Sequence, residues 1–308
     1  MMKIAIVGSN GFIAKHLASA LSKVANTELF LFGRSQSNLS GIDATYKLID
    51  LNQPESFMHD FKGIDLVYYL SSDSIPSSSW HNPYKEVEQN LLPFLNFMEV
   101  AAKQNIHKVA FVSSAGTVYG TTQGKVDESS ATKPFSPYGI MKLHMEHMLN
   151  YYKTKYNIQF DIYRVSNVYG EGQNTAKGLG IINTFLEHIL HHQQVKVFGD
   201  GKITRNYIYV KDVAQLMLHS INNTATSDIF NVSSDNTYSI NDLIDIMKKV
   251  VHEDFKVHYE SSRQSDNAFI DLDHSKISTL HPEFKFTSIE EGISKTYNYI
   301  KSLQHNIQ

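Results

Sequence analysis

The sequence lacks several residue types and patterns on which whole classes of function depend. None of its 308 residues is a cysteine, which excludes disulfides, thiolate nucleophiles, iron–sulfur clusters and cysteine-ligated zinc. No run of 18 or more apolar residues occurs, so the sequence predicts no membrane-spanning helix. The apolar run before Gly8 is too short for a signal peptide, and we therefore expect a cytoplasmic protein.

The chain also lacks a large excess of positive or negative charge. The chain has 28 Lys plus Arg against 31 Asp plus Glu, a formal net charge of −3. No block of five or six like charges is present, so we expect no nucleic-acid partner. His144 and His147 lie one helical turn apart, but no third ligand of suitable spacing accompanies them, and we predict no metal site.

What the sequence does contain is a regular alternation of short apolar runs with longer segments of helical spacing. The predicted strands are Lys3–Val7, Glu28–Phe32, Asp65–Leu70, Lys108–Val112 and Phe160–Val165. Helical spacing covers residues 84–104 and 138–155. Strands that are apolar throughout and alternate with helices indicate an α/β fold with a doubly wound parallel sheet. After Ser166 the pattern is less regular, which predicts a smaller C-terminal α+β lobe.

A glycine-containing segment, Gly8 to Ala14, follows the first predicted strand and begins the first helix. Gly8 permits a tight turn, Gly11 lets the backbone approach a pyrophosphate, and the helix N-terminus offers unpaired N–H groups. This context predicts a Rossmann-type cofactor site. The predicted ligands from this segment are Gly8, Asn10, Gly11, Phe12 and Ile13. The alternative is a strand-to-helix turn that binds nothing.

The choice between NAD and NADP depends on the end of the second strand. An acidic residue there binds the adenosine ribose of NAD, but this sequence has Gly33-Arg34. A guanidinium at this place is able to hold the 2′-phosphate of NADP, although Arg34 is equally consistent with a solvated loop residue. Asp50 and Leu51 are predicted to contact the adenine, and the alternative for Asp50 is a turn or helix cap.

Tyr138 and Lys142 are the predicted catalytic pair. Four residues make about one helical turn, so both side chains lie on one face. A nearby ammonium, together with a nicotinamide cation, favours the phenolate of a tyrosine whose pKa is ordinarily near 10. Tyr138 is then able to exchange a proton with a substrate hydroxyl during hydride transfer.

Hydroxyl side chains follow the fifth strand, at the sheet edge where open parallel sheets bind ligands. Ser113, Ser114 and Thr117 are the candidates to polarise a substrate oxygen. The alternative is a hydroxyl-rich turn that caps the next segment.

Taken together, the motifs resemble the extended short-chain dehydrogenase/reductases, in particular the NAD-dependent epimerase/dehydratase family and its UDP-glucose 4-epimerase group. The segments that carry the resemblance are Gly8-x-x-Gly11-Phe12-Ile13, Ser113-Ser114-x-x-x-Val118-Tyr119-Gly120, Pro137-Tyr138-Gly139-x-x-Lys142, Arg164-x-x-Asn167-x-Tyr169-Gly170 and Arg205-x-Tyr207-x-x-x-x-Asp212. They cover nearly the whole chain in the family's order.

The resemblance implies a role for each matching residue. Tyr138 is the acid/base and Lys142 its electrostatic partner and ribose ligand, while Asn167, Arg205 and Arg263 contact the substrate diphosphate. Asn90 resembles a helix asparagine that supports the central strands.

One position departs from the family pattern. Ala115 stands where epimerases commonly carry the catalytic Ser or Thr, so we predict that Ser114 replaces it; the alternatives are Thr117 or no such hydroxyl at all. Dehydratases place an Asp-Glu pair where this chain has Gly116-Thr117, which disfavours dehydration.

The resulting hypothesis is a nucleotide-sugar 4-epimerase that uses bound NAD or NADP on a UDP-hexose or UDP-N-acetylhexosamine. The alternatives are an NADPH-dependent reductase of a 4-keto nucleotide sugar and a non-catalytic dinucleotide sensor. We expect a dinucleotide-binding domain at 1–166 plus about 199–223 and a nucleotide-sugar-binding lobe at about 167–198 plus 224–308. By resemblance, we also expect a homodimer.

Overall fold

A computed structural model of the chain describes residues 1–36, 39, 41–122, 124–178, 180–261 and 270–305. The chain forms two compact units. The first unit comprises Met1–Gly120, Ala131–Val165 and Ala214–Phe230, and the second comprises Thr121–Ser130, Ser166–Val213 and Asn231–Gln308. Relative to the predicted domain bounds, residues 121–130 and 199–213 group with the second unit and residues 224–230 with the first. Which unit binds which ligand stays a prediction.

The strands are numbered in chain order. They are β1 (Met2–Val7), β2 (Thr27–Gly33), β3 (Thr45–Leu48), β4 (Leu66–Tyr69), β5 (Lys108–Ser114), β6 (Lys125–Val126), β7 (Gln159–Val165), β8 (Asn167–Tyr169), β9 (Val195–Phe198), β10 (Thr204–Tyr209), β11 (Asp228–Val232), β12 (Thr237–Ser239), β13 (Val257–Glu260) and β14 (Asp271–Leu272).

The helices are numbered in the same way. They are α1 (Phe12–Leu21), α2 (Pro54–Phe57), α3 (Pro76–Ser79), α4 (Pro83–Glu86), α5 (Leu92–Lys103), α6 (Ala115–Val118), α7 (Pro137–Tyr156), α8 (Ile181–Leu190), α9 (Val210–Met217), α10 (His219–Asn222), α11 (Ile240–Val250), α12 (Ser275–Leu280) and α13 (Ile289–His305). Single turns of 3-10 helix cover Met58–Phe61 and Thr175–Lys177, and a π-helical turn at Val87–Leu91 joins α4 to α5.

A seven-stranded sheet in the order β11-β7-β5-β4-β1-β2-β3 forms the centre of the first unit. The five pairs from β7 to β3 are parallel, which confirms the predicted doubly wound fold. The predicted strands are buried, as runs of β-branched and aromatic residues require in a sheet covered on both faces. Because β1 lies between β2 and β4, the strand order reverses there, and ligands bind outside the carboxyl ends of strands at such a point.

Helix α7 carries the predicted catalytic pair, and its ends are set by local sequence signals. The Ser136 hydroxyl accepts a hydrogen bond from the Gly139 N–H (3.1 Å), and Pro137 occupies the first helical position. At the other end Asn157 adopts a left-handed conformation, with φ of 57°. Met141, Met145 and other apolar residues of α7 join the main core of the unit, and Tyr138 packs against the same core, so the face of the helix that carries the predicted pair is turned toward the sheet.

The second unit contains smaller sheets with strand orders β12-β10-β8, β13-β9 and β14-β6. Helices α8, α11 and α13 pack around a separate hydrophobic core. Helix α11 begins with a capping box, in which Ser239 and Asp242 exchange side-chain and backbone hydrogen bonds. None of the helices in the described ranges is long and apolar enough to cross a membrane.

Candidate active site

The glycine segment after β1 forms a backbone cradle at the end of the sheet. Gly8 has φ of +84°, and a Cβ there would lie 2.7 Å from the backbone nitrogen of Ser71, so only glycine fits. The Gly8 and Ser9 N–H groups donate to the Phe32 carbonyl at 2.9 and 3.0 Å. Gly11 precedes α1, and no side chain caps that helix, which leaves its first N–H groups for an anionic ligand.

Asn10 fixes the cradle to the loop that follows β2. Its Nδ2 donates to the carbonyl oxygen and to the hydroxyl of Ser35, at 2.8 and 3.0 Å. The buried Oδ1 of Asn10 and the buried hydroxyl of Ser9 have no hydrogen-bond partner among the described residues. Phe12 and Ile13, the first residues of α1, are partly buried beside them. The uncapped N–H groups at the start of α1 and the Ser9 hydroxyl are hydrogen-bond donors that fit the pyrophosphate of a dinucleotide.

The Arg34 guanidinium is already engaged by an acidic side chain. Its Nη1 lies 2.8 Å from Oδ2 of Asp73, and its Nη2 pairs with the other carboxylate oxygen. The Arg34 side chain is 72% exposed, so the pair is a surface interaction. The sequence left Arg34 open between a ligand of a 2′-phosphate and a solvated loop residue; in the structure the Asp73 carboxylate partly neutralises its charge.

Asp50 forms the turn after β3. Its carboxylate accepts hydrogen bonds from the Asn52 N–H at 3.0 Å and from Gln53 Nε2 at 3.2 Å. This arrangement matches the turn-capping alternative, and the adenine contact stays a prediction. Leu51 is buried, and its carbonyl accepts a hydrogen bond from Asn96.

Tyr138 and Lys142 lie together on α7, beside β5. The Lys142 ammonium is 5.6 Å from the centre of the Tyr138 ring and 4.9 Å from that of Phe111, and it donates to the Val112 carbonyl at 3.1 Å. Lys142 is only 4% exposed. The backbone contact and the packing on Phe111 therefore hold the ammonium in one position.

Burial is the largest cause of the pKa shifts of both Lys142 and Tyr138. It lowers the pKa of Lys142 to about 8, while the charges of Glu146 and Glu86 act in the opposite direction. Burial raises the pKa of Tyr138 to about 12, and the charge of Glu86 adds to this rise. The sequence predicted that Lys142 would lower the pKa of Tyr138 and so favour its phenolate. In this structure the pKa of Tyr138 is raised instead, because burial disfavours the charged form. Lowering the Tyr138 pKa requires further positive charge, which an oxidised nicotinamide ring brings.

The hydroxyls after β5 have distinct surroundings. The buried Ser113 hydroxyl donates to Glu146 at 2.5 Å, so it is not available to a substrate. Thr117 donates to the Ser114 carbonyl at 3.3 Å. Ser114 precedes α6 and its hydroxyl caps no backbone N–H of that helix. A Cβ on Gly139 would lie 2.5 Å from the Thr117 carbonyl, which shows how closely α6 approaches the start of α7.

A buried ionic network supports this arrangement. Arg164 on β7 donates to the Glu146 carboxylate from Nε (3.2 Å to each oxygen) and from Nη2 (2.7 Å), and its Nη1 donates to the Tyr119 hydroxyl at 2.9 Å. Sequence reasoning missed the role of Glu146. Its signal was the spacing Tyr138, Lys142, Glu146, which places all three on one face of α7.

A second polar cluster surrounds Asn90, in the π-helical turn. Asn90 Oδ1 accepts from the Asp73 N–H at 2.8 Å, and its Nδ2 donates to Ser74 Oγ at 3.0 Å and to Glu86 at 3.2 Å. Asn90 therefore links α5 to the loop after β4, which agrees with the supporting role expected for it. The carboxylate of Glu86 was not predicted; its signal was the four-residue spacing from Asn90.

The predicted diphosphate ligands lie in the second unit. Asn167 on β8 is exposed, and its Nδ2 donates to the Asn206 carbonyl at 3.0 Å. Arg205 lies on β10, which pairs in parallel with β8, so the structure brings these two residues onto neighbouring strands. Arg263 lies outside the described residues.

No group of three or more His, Asp or Glu side chains in the described ranges is arranged to hold a metal ion. The groups that lie at the β5 and α7 end are the Tyr138 phenol, the buried Lys142 ammonium and the Ser114 hydroxyl, which are side chains able to exchange a proton with an alcohol.

Comparison with known proteins places the chain among sugar-nucleotide enzymes. The profile of the NAD dependent epimerase/dehydratase family matches residues 4–233. A putative UDP-glucose 4-epimerase of Methanocaldococcus jannaschii is 30% identical over 305 residues, which is 97% of this chain and 98% of that protein.

Solved structures agree with these sequence matches. The crystal structure of UDP-glucose 4-epimerase from Thermotoga maritima with UDP-glucose is 25% identical, with a TM-score of 0.91, and the match covers 98% of this chain and all of that one (100%). A UDP-N-acetylglucosamine 4-epimerase from Methanobrevibacter ruminantium, in complex with UDP-N-acetylmuramic acid, is 25% identical with a TM-score of 0.89, and covers 98% of this chain and 99% of that one.

Proposed function

The chain belongs to the NAD dependent epimerase/dehydratase family, and we propose that it is a 4-epimerase acting on a UDP-hexose or UDP-N-acetylhexosamine. Membership confirms the family resemblance of the motifs: the protein is an NAD(P)-dependent enzyme of the extended short-chain dehydrogenase/reductase type. One observation carries the proposal. Tyr138, Lys142 and Ser114 lie at adjoining ends of β5 and α7, in a chain similar over its length to proteins named as 4-epimerases.

In this proposal each residue acts on the C4 hydroxyl of the sugar or on its diphosphate. Tyr138 takes the proton of the hydroxyl, Lys142 stabilises the phenolate, and Ser114 donates a hydrogen bond to the C4 oxygen. Bound NAD supplies a hydride acceptor that later acts as the donor. Asn167, Arg205 and Arg263 hold the diphosphate while the sugar turns, since guanidinium groups bind phosphate oxygens in pairs.

Two features favour epimerisation over the other reactions of the family. Gly116 and Thr117 follow Ala115, so this segment offers no carboxylate to assist elimination of a hydroxyl. The Arg34 guanidinium pairs with Asp73, which disfavours a 2′-phosphate there and supports NAD as the resident cofactor rather than NADPH. A 4-keto-sugar reductase would instead need a reduced cofactor that enters and leaves.

We also propose that the protein is a homodimer. On α7, Ile140, His144, His147 and Tyr151 are exposed and recur at three- or four-residue intervals, so they form one stripe along the helix. Ile140 and Tyr151, 54% and 44% exposed, give this stripe of two histidines an apolar residue at each end, and such a mixed helix face suits a helical dimer interface. Sedimentation equilibrium should give twice the mass of 35.0 kDa; a monomer with this stripe intact would contradict the dimer. A cytoplasmic location stays a prediction.

The test is a substrate panel with a matched control. Purified protein is incubated with UDP-glucose, UDP-galactose and their N-acetyl analogues, and the products are identified by NMR. We expect interconversion of at least one pair without added NADH. Tyr138→Phe removes only the hydroxyl and should lower kcat by about 10²–10⁴-fold. Absence of interconversion in every pair, or full activity of the variant, would contradict the proposal.

The cofactor is identified separately. Mass spectrometry of the denatured protein should find NAD in near-stoichiometric amount, because an epimerase regenerates its cofactor in each turnover. An empty protein that then binds NADPH much more tightly than NADH would favour the reductase.

A further inference from the structure

Glu86 is a buried carboxylate for which the chemistry proposed above has no use. It is the last residue of α4 and only 3% exposed. The Ser74 hydroxyl donates to Oε2 at 2.7 Å, and Asn90 Nδ2 donates to the same oxygen at 3.2 Å. Burying an anion costs free energy, and burial raises the pKa of Glu86. An amide side chain would accept both hydrogen bonds without that cost, so the charge itself requires an explanation.

The position of Glu86 suggests what the charge acts on. Helix α4 and the π-helical turn after it pack against α7, the helix of Tyr138 and Lys142. The charge of Glu86 stabilises the ammonium of Lys142, and it disfavours the phenolate of Tyr138.

Glu146 is the other carboxylate that acts on Lys142. It forms an ion pair with Arg164 and accepts a hydrogen bond from Ser113, so its charge is largely neutralised. Glu86 forms no ion pair with a cation among the described residues. Of the two carboxylates whose charge acts on Lys142, Glu86 is therefore the one that no other cation in the described part of the chain offsets. The groups in contact with the Lys142 ammonium, Tyr138 and the Val112 carbonyl, carry no negative charge while Tyr138 is protonated.

We infer that Glu86 is a positioning residue that keeps Lys142 protonated inside a buried site that would otherwise neutralise it. The inference rests on the proposed function, since it assumes that Lys142 acts as an ammonium beside Tyr138. A neutral amine neither stabilises a phenolate nor donates a charged hydrogen bond to a ribose hydroxyl. Loss of the Glu86 charge should therefore reduce activity most strongly at alkaline pH, where Lys142 is closest to losing its proton.

The direct test measures the titration of Lys142 rather than turnover. Protein labelled with [ε-¹³C]lysine is titrated by NMR, and the Lys142 signal is identified by its absence in Lys142→Arg. In wild type the midpoint is expected near 8. In Glu86→Gln, which preserves size and both hydrogen bonds, the midpoint should fall by about one unit or more. Glu88→Gln changes an exposed carboxylate two residues away and should leave the midpoint unchanged.

Further variants separate charge from packing. Glu86→Asp keeps the charge and should retain most of the wild-type midpoint; a fall as large as in Glu86→Gln would overturn the inference, as would an unchanged midpoint in Glu86→Gln. If Glu86→Gln does not fold, the Lys142 signal of wild type should show a second inflection in acid whose midpoint equals that of the Glu86 carboxyl signal, which is identified in [δ-¹³C]glutamate-labelled protein by its absence in Glu86→Asp. Absence of an inflection at the Glu86 midpoint would overturn the inference.

The two proposals fail in different ways. If the protein has no epimerase activity but the titration midpoint of Lys142 still depends on Glu86, the proposed function is contradicted. The coupling between Glu86 and Lys142 is then still supported. An active enzyme whose midpoint ignores Glu86 contradicts the coupling alone. In the active case the alkaline limb of the pH–kcat profile of Glu86→Gln should move to lower pH by the same amount as the midpoint.

Discussion

Replacing Arg164 with methionine should lower the free energy of unfolding of the first unit by more than a substitution at the surface would. Arg164 and Glu146 are 4% and 2% exposed, and the substitution leaves a buried carboxylate with Ser113 as its remaining hydrogen-bond donor. Arg164 contributes donors from two nitrogens, Nε and Nη2, to Glu146. Hydrogen bonds to charged groups contribute roughly 1.5–3 kcal/mol each. Two of them give about 3–6 kcal/mol, consistent with the roughly 3–5 kcal/mol lost when a buried ion pair is broken.

The assay is thermal and urea unfolding of wild type, Arg164→Met and the double variant Glu146→Leu/Arg164→Met. At about 2–4 °C per kcal/mol for a unit of this size, the single variant should melt roughly 10 °C lower. The double variant should recover much of the loss, because neither partner of the buried Arg164–Glu146 pair is then left without the other.

Two results would refute this reasoning. A loss below about 1 kcal/mol in Arg164→Met would mean that the pair behaves as a solvated surface ion pair. Additive losses in the double variant would mean that the two side chains do not stabilise the unit through each other.

Three further predictions concern the site. Gly8→Ala places a Cβ 2.7 Å from a backbone nitrogen at positive φ, and should cost at least about 2 kcal/mol and abolish retention of the cofactor; a melting temperature and bound NAD equal to wild type would contradict it. Ser114→Ala should lower kcat by about 10²–10³-fold, whereas Thr117→Val should change it less than tenfold; steady-state kinetics that reverse this order would assign the hydroxyl to Thr117. Asp73→Asn frees the guanidinium of Arg34 and should raise the affinity for NADP relative to NAD by about two- to fivefold, since an exposed pair is worth up to about 1 kcal/mol; fluorescence titration with an unchanged ratio would argue against the pairing.

The sequence predicted the first unit well because the relevant signals are local. The apolar runs at β1, β2, β4, β5 and β7 predict the strands of a buried parallel sheet when helices separate them. The turn at Gly8 is recognisable because it lies between a strand and a helix. The spacing of Tyr138 and Lys142 also depends on a single helix.

What the sequence did not predict depends on long-range contacts. Arg34 pairs with Asp73, which is 39 positions away in the sequence. The network of Glu146 connects helix α7 to Ser113 on β5 and to Arg164 on β7. The buried ion pair of Lys108 with Asp161 likewise could not be inferred, because Lys108 was assigned only as the start of a strand. Charged residues have no periodicity that reveals burial, and only the packed structure shows which of them lose their water.

The pKa of Tyr138 illustrates the same limit. The sequence showed that Lys142 would lie nearby, but it did not show that burial at this place would raise the tyrosine pKa to about 12. Desolvation depends on every element packed around the group. The competition between burial and the nearby ammonium could therefore be decided only with the structure.

In the proposed reaction, hydrogen leaves C4 of the sugar as hydride and returns to the opposite face without exchange with water. UDP-glucose and UDP-N-acetylglucosamine, each deuterated at C4, are incubated with the enzyme, and the products are followed by NMR and mass spectrometry. At least one of the two substrates should give its 4-epimer with deuterium retained at C4, and the bound cofactor should show no net oxidation or reduction. Absence of any epimer, or loss of the deuterium to solvent, would contradict it.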